Sequence, residues 1–205
     1  MKFNYINVFH GTLKEWAFDI VDNGFIDPKR RDSDDHWLGH GIYFYPCYEE
    51  AKRWAISKSK KYKTNYDVVV ADMNKEKLYN LEDSAHLRKF KKFALDLDKT
   101  IKSDGICLDF TKGLNRNSKD FSIQVTKRKR CFTFDSFANQ FQIAGIMCSF
   151  CMDMQFSSNH KTNFLLMSGI ETQICVYDKS IIENLRLAAD FSMEGYISVS
   201  YTHLR

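Results

Sequence analysis

Three short stretches of this 205-residue chain hold residues that could do chemistry. The first is Val8-Phe9-His10-Gly11-Thr12. Gly11 has no Cβ, so a ligand can come close to the backbone there. A histidine at a strand end is often a satisfied core residue; standing directly before Gly11-Thr12, His10 reads as functional. The second stretch is Gly39-His40-Gly41-Ile42-Tyr43-Phe44-Tyr45. Its glycines form a turn feeding an aromatic strand whose rings can stack on a flat ligand. The third is Gly169 to Asp178, which contains Glu171 and Gln173. Residues two apart on a strand share a face, so a carboxylate and an amide can look into one pocket.

The elements that must position these residues are partly legible. Phe3 to Phe9 alternates and is aromatic and β-branched, which predicts a strand ending at His10-Gly11-Thr12. Leu13 to Asn23 carries Trp16, Ala17, Ile20 and Val21 at helical spacing, closed by Gly24. Phe25 to Leu38 is charged, contains Pro28 and predicts a loop. Tyr48 to Tyr62 predicts a helix with an Ala51, Trp54, Ala55, Lys58 stripe. Tyr66 to Met73 has the composition of a buried strand. Ser84 to Ser103 predicts a long amphipathic helix on Leu87, Phe90, Ala94, Leu97 and Ile101. Residues 112–130 are polar and predict a loop or insertion; the run Lys127-Arg128-Lys129-Arg130 in it is either a phosphate-attracting patch or a solvated turn. Phe134 to Ile146 predicts a helix, Met147 to Phe156 a strand, and Ile174 to Tyr177 and Ser180 to Leu187 further strands. Residues 188–205 fit no element and read as a tail after a single domain over 1–187.

Composition narrows the classes. Hydrophobic content is 44% and aromatic content 15%, which favours a packed core over disorder. A net charge of +4 permits an acidic or nucleic-acid partner without requiring one. No run is long and apolar enough to span a membrane, and Met1 to Tyr5 has no apolar signal core, so a cytoplasmic protein without a membrane partner is expected. The six cysteines are scattered and most are expected to be buried thiols. Cys148 and Cys151 are the one close pair; zinc would need more ligands, with Cys131 and His160 in reach, and no metal is expected. Walker-type, dinucleotide Gly-x-Gly-x-x-Gly and Gly-x-Ser-x-Gly motifs are absent.

The His10-Gly11-Thr12 and Gly39-His40-Gly41-Ile42-Tyr43-Phe44 pair resembles the NAD-binding core of ADP-ribosyltransferases of the poly(ADP-ribose) polymerase and diphtheria-toxin type. The resemblance covers about residues 5 to 187, dense in the first 60 and at the last strand. It implies an α+β domain of two facing antiparallel β-sheets around an NAD cleft, with flanking helices. His10 would bond the adenosine ribose, Gly11 the nicotinamide amide through its backbone, and Tyr43 would stack on the nicotinamide, with Thr12 beside them. Tyr45 or Tyr48 would supply the other face of that sandwich. Trp37 would either cap the adenine or pyrophosphate side or tuck into the core.

The resemblance further implies transfer of ADP-ribose from NAD, as substrate, to a protein or nucleic-acid acceptor, with release of nicotinamide. Such a chain suits a bacterial or phage toxin or defence-type effector. Aligning Val176-Tyr177-Asp178 on the family's last strand puts Gln173 where the catalytic glutamate is expected, with Glu171 two residues earlier. Either Gln173 bonds the ribose hydroxyl while Glu171 supplies the charge, or the protein binds NAD without efficient chemistry. An RNA 2′-phosphotransferase also carries a His-Gly-Thr strand, but its phosphate-gripping arginines and second histidine have no counterpart in sight. Nucleic acid as acceptor rests on Lys127, Arg128, Lys129 and Arg130 alone.

Overall fold

The computed structural model describes residues 4–28, 36–152 and 169–190. Its most apolar run, Val68-Val69-Val70-Ala71, is fully buried. The run lies in β3 (Tyr66–Asn74), the centre strand of a three-stranded antiparallel sheet between β1 (Tyr5–Leu13) and β7 (Ile182–Leu187). A strand covered on both faces needs apolar residues at consecutive positions rather than alternate ones. Helices α1 (Lys14–Asn23) and α2 (Tyr48–Tyr62) cover one face, and a second sheet covers the other.

The second sheet has the order β2 (Ile42–Phe44), β6 (Gly169–Val176), β5 (Gly145–Met152) and β4 (Leu78–Asn80). Ile42, Phe44, Ile174 and Val176 meet Val8, Ala71 and Met73 of the first sheet in one apolar layer. On the outer face of the second sheet, Ile146 and Cys175 pack with Phe93 of α3 (Ser84–Ser103) and Phe134 and Phe137 of α4 (Phe121–Phe141). The protein is therefore mixed α+β, with two sheets and four helices among the described residues.

Several sequence-based expectations change. The second sheet is mixed, because β4 pairs with β5 in parallel. The connection between them runs through α3 and α4, long enough to bring the chain back in the same direction. β1 does not stop at His10 but continues to Leu13, since β3 matches it residue for residue from Tyr5↔Asn74 to Leu13↔Tyr66. The polar segment before residue 134 is largely helical: α4 begins at Phe121 and carries the basic run within it. Trp16 and Trp54, read as packing residues, are 46% and 55% exposed. Among the described cysteines Cys131 and Cys175 are buried, whereas Cys47 and Cys107 are exposed, because they sit at a helix entry and in a loop. The expected tail has a short helical turn at Ala188–Asp190, and residues 191–205 lie outside the described residues.

Two helices have the bounds their sequence predicts, Tyr48–Tyr62 and Ser84–Ser103, although Ser59 and Phe93 are buried outside the expected stripes. α2 buries Ala51, Ala55 and Ser59. α3 starts where Asp83 accepts hydrogen bonds from the N–H groups of Ala85 and His86 at 2.8 and 2.9 Å, an N-cap that satisfies two otherwise orphan donors. No helix among the described residues is long and apolar enough to cross a membrane.

Candidate functional site

The two sheets touch edge to edge where β1 meets the end of β2. Phe9 N–H donates to Tyr45 O and Tyr45 N–H donates to Phe9 O, each at 2.8 Å. Backbone groups alternate sides along a strand, so His10 turns its N–H and C=O to β3 and Gly11 turns its own to the β2 side. There β2 has ended, because Pro46 follows Tyr45 and the chain enters α2. The Gly11 N–H and C=O have no hydrogen-bond partner among the described residues. They form a donor–acceptor pair at the fork between the sheets. Glycine is required here for a second reason: a Cβ on Gly11 would lie 1.9 Å from Ala51 O of α2.

His10 joins the two strands. Its Nδ1 donates to Tyr43 O at 2.7 Å. A carbonyl only accepts, so the proton sits on Nδ1 and Nε2 keeps its lone pair. Phe25 and Phe44 stand edge-on to the ring at 5.1 and 5.8 Å. Burial lowers the His10 pKa to about 4, against the raising effect of the Tyr43 bond and with help from the Lys58 charge. The imidazole is therefore neutral at physiological pH.

This has a measurable consequence for stability. A depressed histidine pKa stabilises the fold above the unfolded value of 6.5 and loses that contribution as pH falls towards 4. The expected loss is about 2–3 kcal/mol over that window. Denaturant titrations of the wild type and His10→Gln at a series of pH values check it: the difference between them should shrink as the solution is acidified.

Tyr43 is held by its hydroxyl, which donates to Gly39 O at 2.9 Å and accepts from Leu38 N–H at 2.7 Å. Burial raises its pKa, and the phenol stays protonated. The His36 ring lies 5.6 Å from the Tyr43 ring at 35°. Tyr177 OH donates to Leu38 O, which ties the same loop to the end of β6. His40 is fixed to α4: its backbone N–H donates to Asp135 Oδ1 at 2.7 Å and its Nδ1 to Asp135 Oδ2 at 2.5 Å. Cys131 Sγ lies 3.5 Å from that same Nδ1. Gly39 has a positive φ of 97°, and a Cβ there would meet Asp135 Oδ1 at 2.4 Å. His40, Cys131 and Asp135 form a metal-capable group among the described residues; Cys131 is a candidate ligand by sequence, but its grouping with His40 and Asp135 is not a sequence-based expectation. Of the zinc ligands considered from sequence, His160 and the Cys151 side chain lie outside the described residues.

On β6, Gln173 Nε2 donates to Glu171 Oε1 at 2.6 Å. Gln173 is 6% exposed, and its buried Oε1 has no hydrogen-bond partner among the described residues. Both side chains leave the sheet on the face that carries Tyr43, since Tyr43 pairs with Cys175 and the alternation continues to Gln173 and Glu171. Tyr45, next along from Tyr43 on that face, is 5% exposed. Burial and the charges of Glu171 and Glu50 raise its pKa.

The remaining predicted residues separate. Thr12 is buried. Tyr45 and Tyr48 pack in the cluster of Phe9, Ala51, Val68 and Val70, with Tyr48 edge-on to Phe9 at 5.8 Å, so neither presents an open ring face. Trp37 packs against Phe150 at 4.8 Å under the Arg130 guanidinium at 4.1 Å. Of its two readings, the packed one describes this geometry. The basic run does not form one patch, because helical spacing turns successive residues about 100° apart. Arg128 is buried and donates to Phe110 O and Lys112 O at 3.2 and 2.7 Å, while Arg130 faces Trp37 and Lys129 faces solvent.

No family model and no solved structure matches the chain. A stretch of 60 residues is 37% identical to an uncharacterized protein of Methanocaldococcus jannaschii, covering 29% of this chain. The chain spans 27% of that relative's length.

Proposed function

We propose that this protein transfers ADP-ribose from NAD to a macromolecular acceptor and releases nicotinamide, on an ADP-ribosyltransferase-like fold. The observation that carries the reading is the fork at Gly11. Its N–H and C=O are unpaired among the described residues and point past the end of β2, the complement of a primary carboxamide. Nicotinamide carries such an amide. Tyr43 lies on the strand beside the fork, and His10 Nε2 is an acceptor for a ribose hydroxyl.

The reaction would break the bond between the nicotinamide nitrogen and ribose C1, with the electron pair leaving on nicotinamide. Positive charge builds on the ribose as this bond lengthens, and a fixed carboxylate stabilises it. Glu171 supplies that charge, and Gln173, its amide nitrogen tied to Glu171, offers Oε1 to a ribose hydroxyl. A second reading, an NAD-binding module with little turnover, is favoured by the neutral amide at the position where the resemblance expects the glutamate.

NAD binding tests the first step of both readings. His10→Ala removes an acceptor for the ribose, and one lost hydrogen bond of this kind is worth about tenfold in Kd. Calorimetric titration should show that loss in a variant that is less stable than wild type but still unfolds cooperatively. Wild-type protein that does not bind NAD would remove both readings.

A further inference from the structure

The loop before β2 and the middle of α4 share a group of side chains that the transferase reading does not use. Cys131 and Asp135 stand four residues apart on α4, so helical spacing puts them on one face. Both are buried there. His40, between Gly39 and Gly41, comes down on that face. Its Nδ1 lies 2.5 Å from Asp135 Oδ2 and 3.5 Å from Cys131 Sγ. A nitrogen, a sulfur and a carboxylate oxygen thus lie within 4.8 Å of one another.

An imidazole nitrogen has one in-plane site, which holds either a proton or a lone pair. Nδ1 can donate to Asp135 or accept from the thiol, but not both. A nucleophilic triad does not fit either, because it needs the carboxylate on one ring nitrogen and the thiol on the other. Here both address Nδ1, and Cys131 is only 1% exposed. One cation at the point the three atoms face would suit all of them at once.

We propose that His40 Nδ1, Cys131 Sγ and Asp135 Oδ2 bind a divalent cation of the zinc type, which ties the loop before β2 to α4. Mixed nitrogen, sulfur and oxygen ligation is zinc chemistry, whereas calcium and magnesium take oxygen ligands. Nitrogen–oxygen and nitrogen–sulfur pairs around one tetrahedral zinc lie about 3.3–3.6 Å apart. The Cys131–His40 distance already has that size. The His40–Asp135 pair must open by about 0.8 Å, as the proton between them gives way to the metal. Asp135 Oδ1 accepts from His40 N–H at 2.7 Å, which orients the carboxylate so that Oδ2 binds alone. On binding, the thiol proton leaves to solvent and Nδ1 gives up its own. Thiolate, carboxylate and neutral imidazole then balance the two positive charges, as a buried site requires. Three protein donors leave the fourth tetrahedral position to water. Gly39 O accepts from the Tyr43 hydroxyl, so a metal on His40 also steadies the loop that holds Tyr43. The site stands independently of the transferase reading.

The test is titration of metal-free protein with Zn²⁺ and with Co²⁺, for wild type, Cys131→Ser and His40→Gln. Wild type should take up one zinc per chain. Its Co²⁺ form should show a thiolate-to-cobalt charge-transfer band and the strong visible absorption of four-coordination. Cys131→Ser should lose that band and weaken zinc binding at least about 100-fold, beyond the usual cost of a merely supporting residue. Saturating zinc should raise the wild-type Tm by roughly 5–10 °C and leave Cys131→Ser unmoved. His40→Gln changes the loop rather than the helix, and should also lose zinc if Cys131→Ser fails to fold. A wild type without the thiolate–cobalt band overturns the proposal. So does zinc uptake that either variant retains in full, which would put the metal on other residues.

Discussion

Glu171→Ala is expected to lower nicotinamide release about 10²–10³-fold, the usual cost of removing one preorganised electrostatic group from a charge-building transition state. NAD affinity should change far less, because the carboxylate matters most after the glycosidic bond begins to open. Gln173→Ala should cost about tenfold, since the amide contributes one hydroxyl contact and the bond that orients Glu171. The order of the two effects discriminates between assignments. If Gln173→Ala is the more damaging variant, the amide rather than the carboxylate governs the reaction, and the division of roles between them is wrong. Steady-state release of nicotinamide from NAD, with NAD binding measured in parallel, separates these outcomes.

Gly11→Ala is expected to be the most damaging single methyl group in the described fold. The added Cβ would sit 1.9 Å from Ala51 O, 2.8 Å from Ala51 C and 3.0 Å from Ala55 Cβ. Two of these three atoms are backbone in the first turn of α2, so no side chain can rotate away. Either α2 lifts from β1 or β1 leaves its register with β3. Overpacking of this kind costs about 3 kcal/mol, which in a chain of this size lowers Tm by roughly 10 °C. Differential scanning calorimetry checks it. A Gly11→Ala protein with wild-type Tm would mean that α2 does not pack on β1 at this distance. The same substitution should weaken NAD binding, because displacing β1 moves the backbone pair at the fork.

Gly11 also shows what a sequence can and cannot reveal. Its lack of a side chain is legible and suggests close approach, but not by what. The structure brings a helix against its Cα, while the direction of its N–H and C=O depends on which edge of β1 faces β2. That edge is fixed by the pairing Phe9↔Tyr45, a contact across 36 positions that no local pattern encodes. By contrast the bounds of α2 and α3 are legible to the residue. Their apolar positions recur at helical spacing, and Asp83 is a strong N-cap. α4 is obscured because its charged residues wrap around the helix: Arg128 points inward and satisfies its guanidinium on two carbonyl groups, so the amphipathic contrast is lost. β4, three residues long, is too short to show alternation and depends on its parallel partner β5.

The candidate site divides in the same way. His10, Tyr43, Glu171 and Gln173 are recognisable as residue types, and three far-apart segments do come together on neighbouring strands β1, β2 and β6. The neutral state of His10 follows from its aromatic surroundings, Phe25 and Phe44, and the first of these comes from outside both motifs. The link of His40 to Asp135 and Cys131 likewise joins a loop to a helix whose register could not be read in advance.

The most direct test of the central claim is release of nicotinamide from NAD by the purified protein, alone and with cell lysate, beside Glu171→Ala. The account predicts release by the wild type, stimulated by lysate, and its collapse in Glu171→Ala while NAD still binds. No release under any condition, with NAD bound by the wild type and lost on His10→Ala, would contradict the transferase reading and leave a binding module in its place.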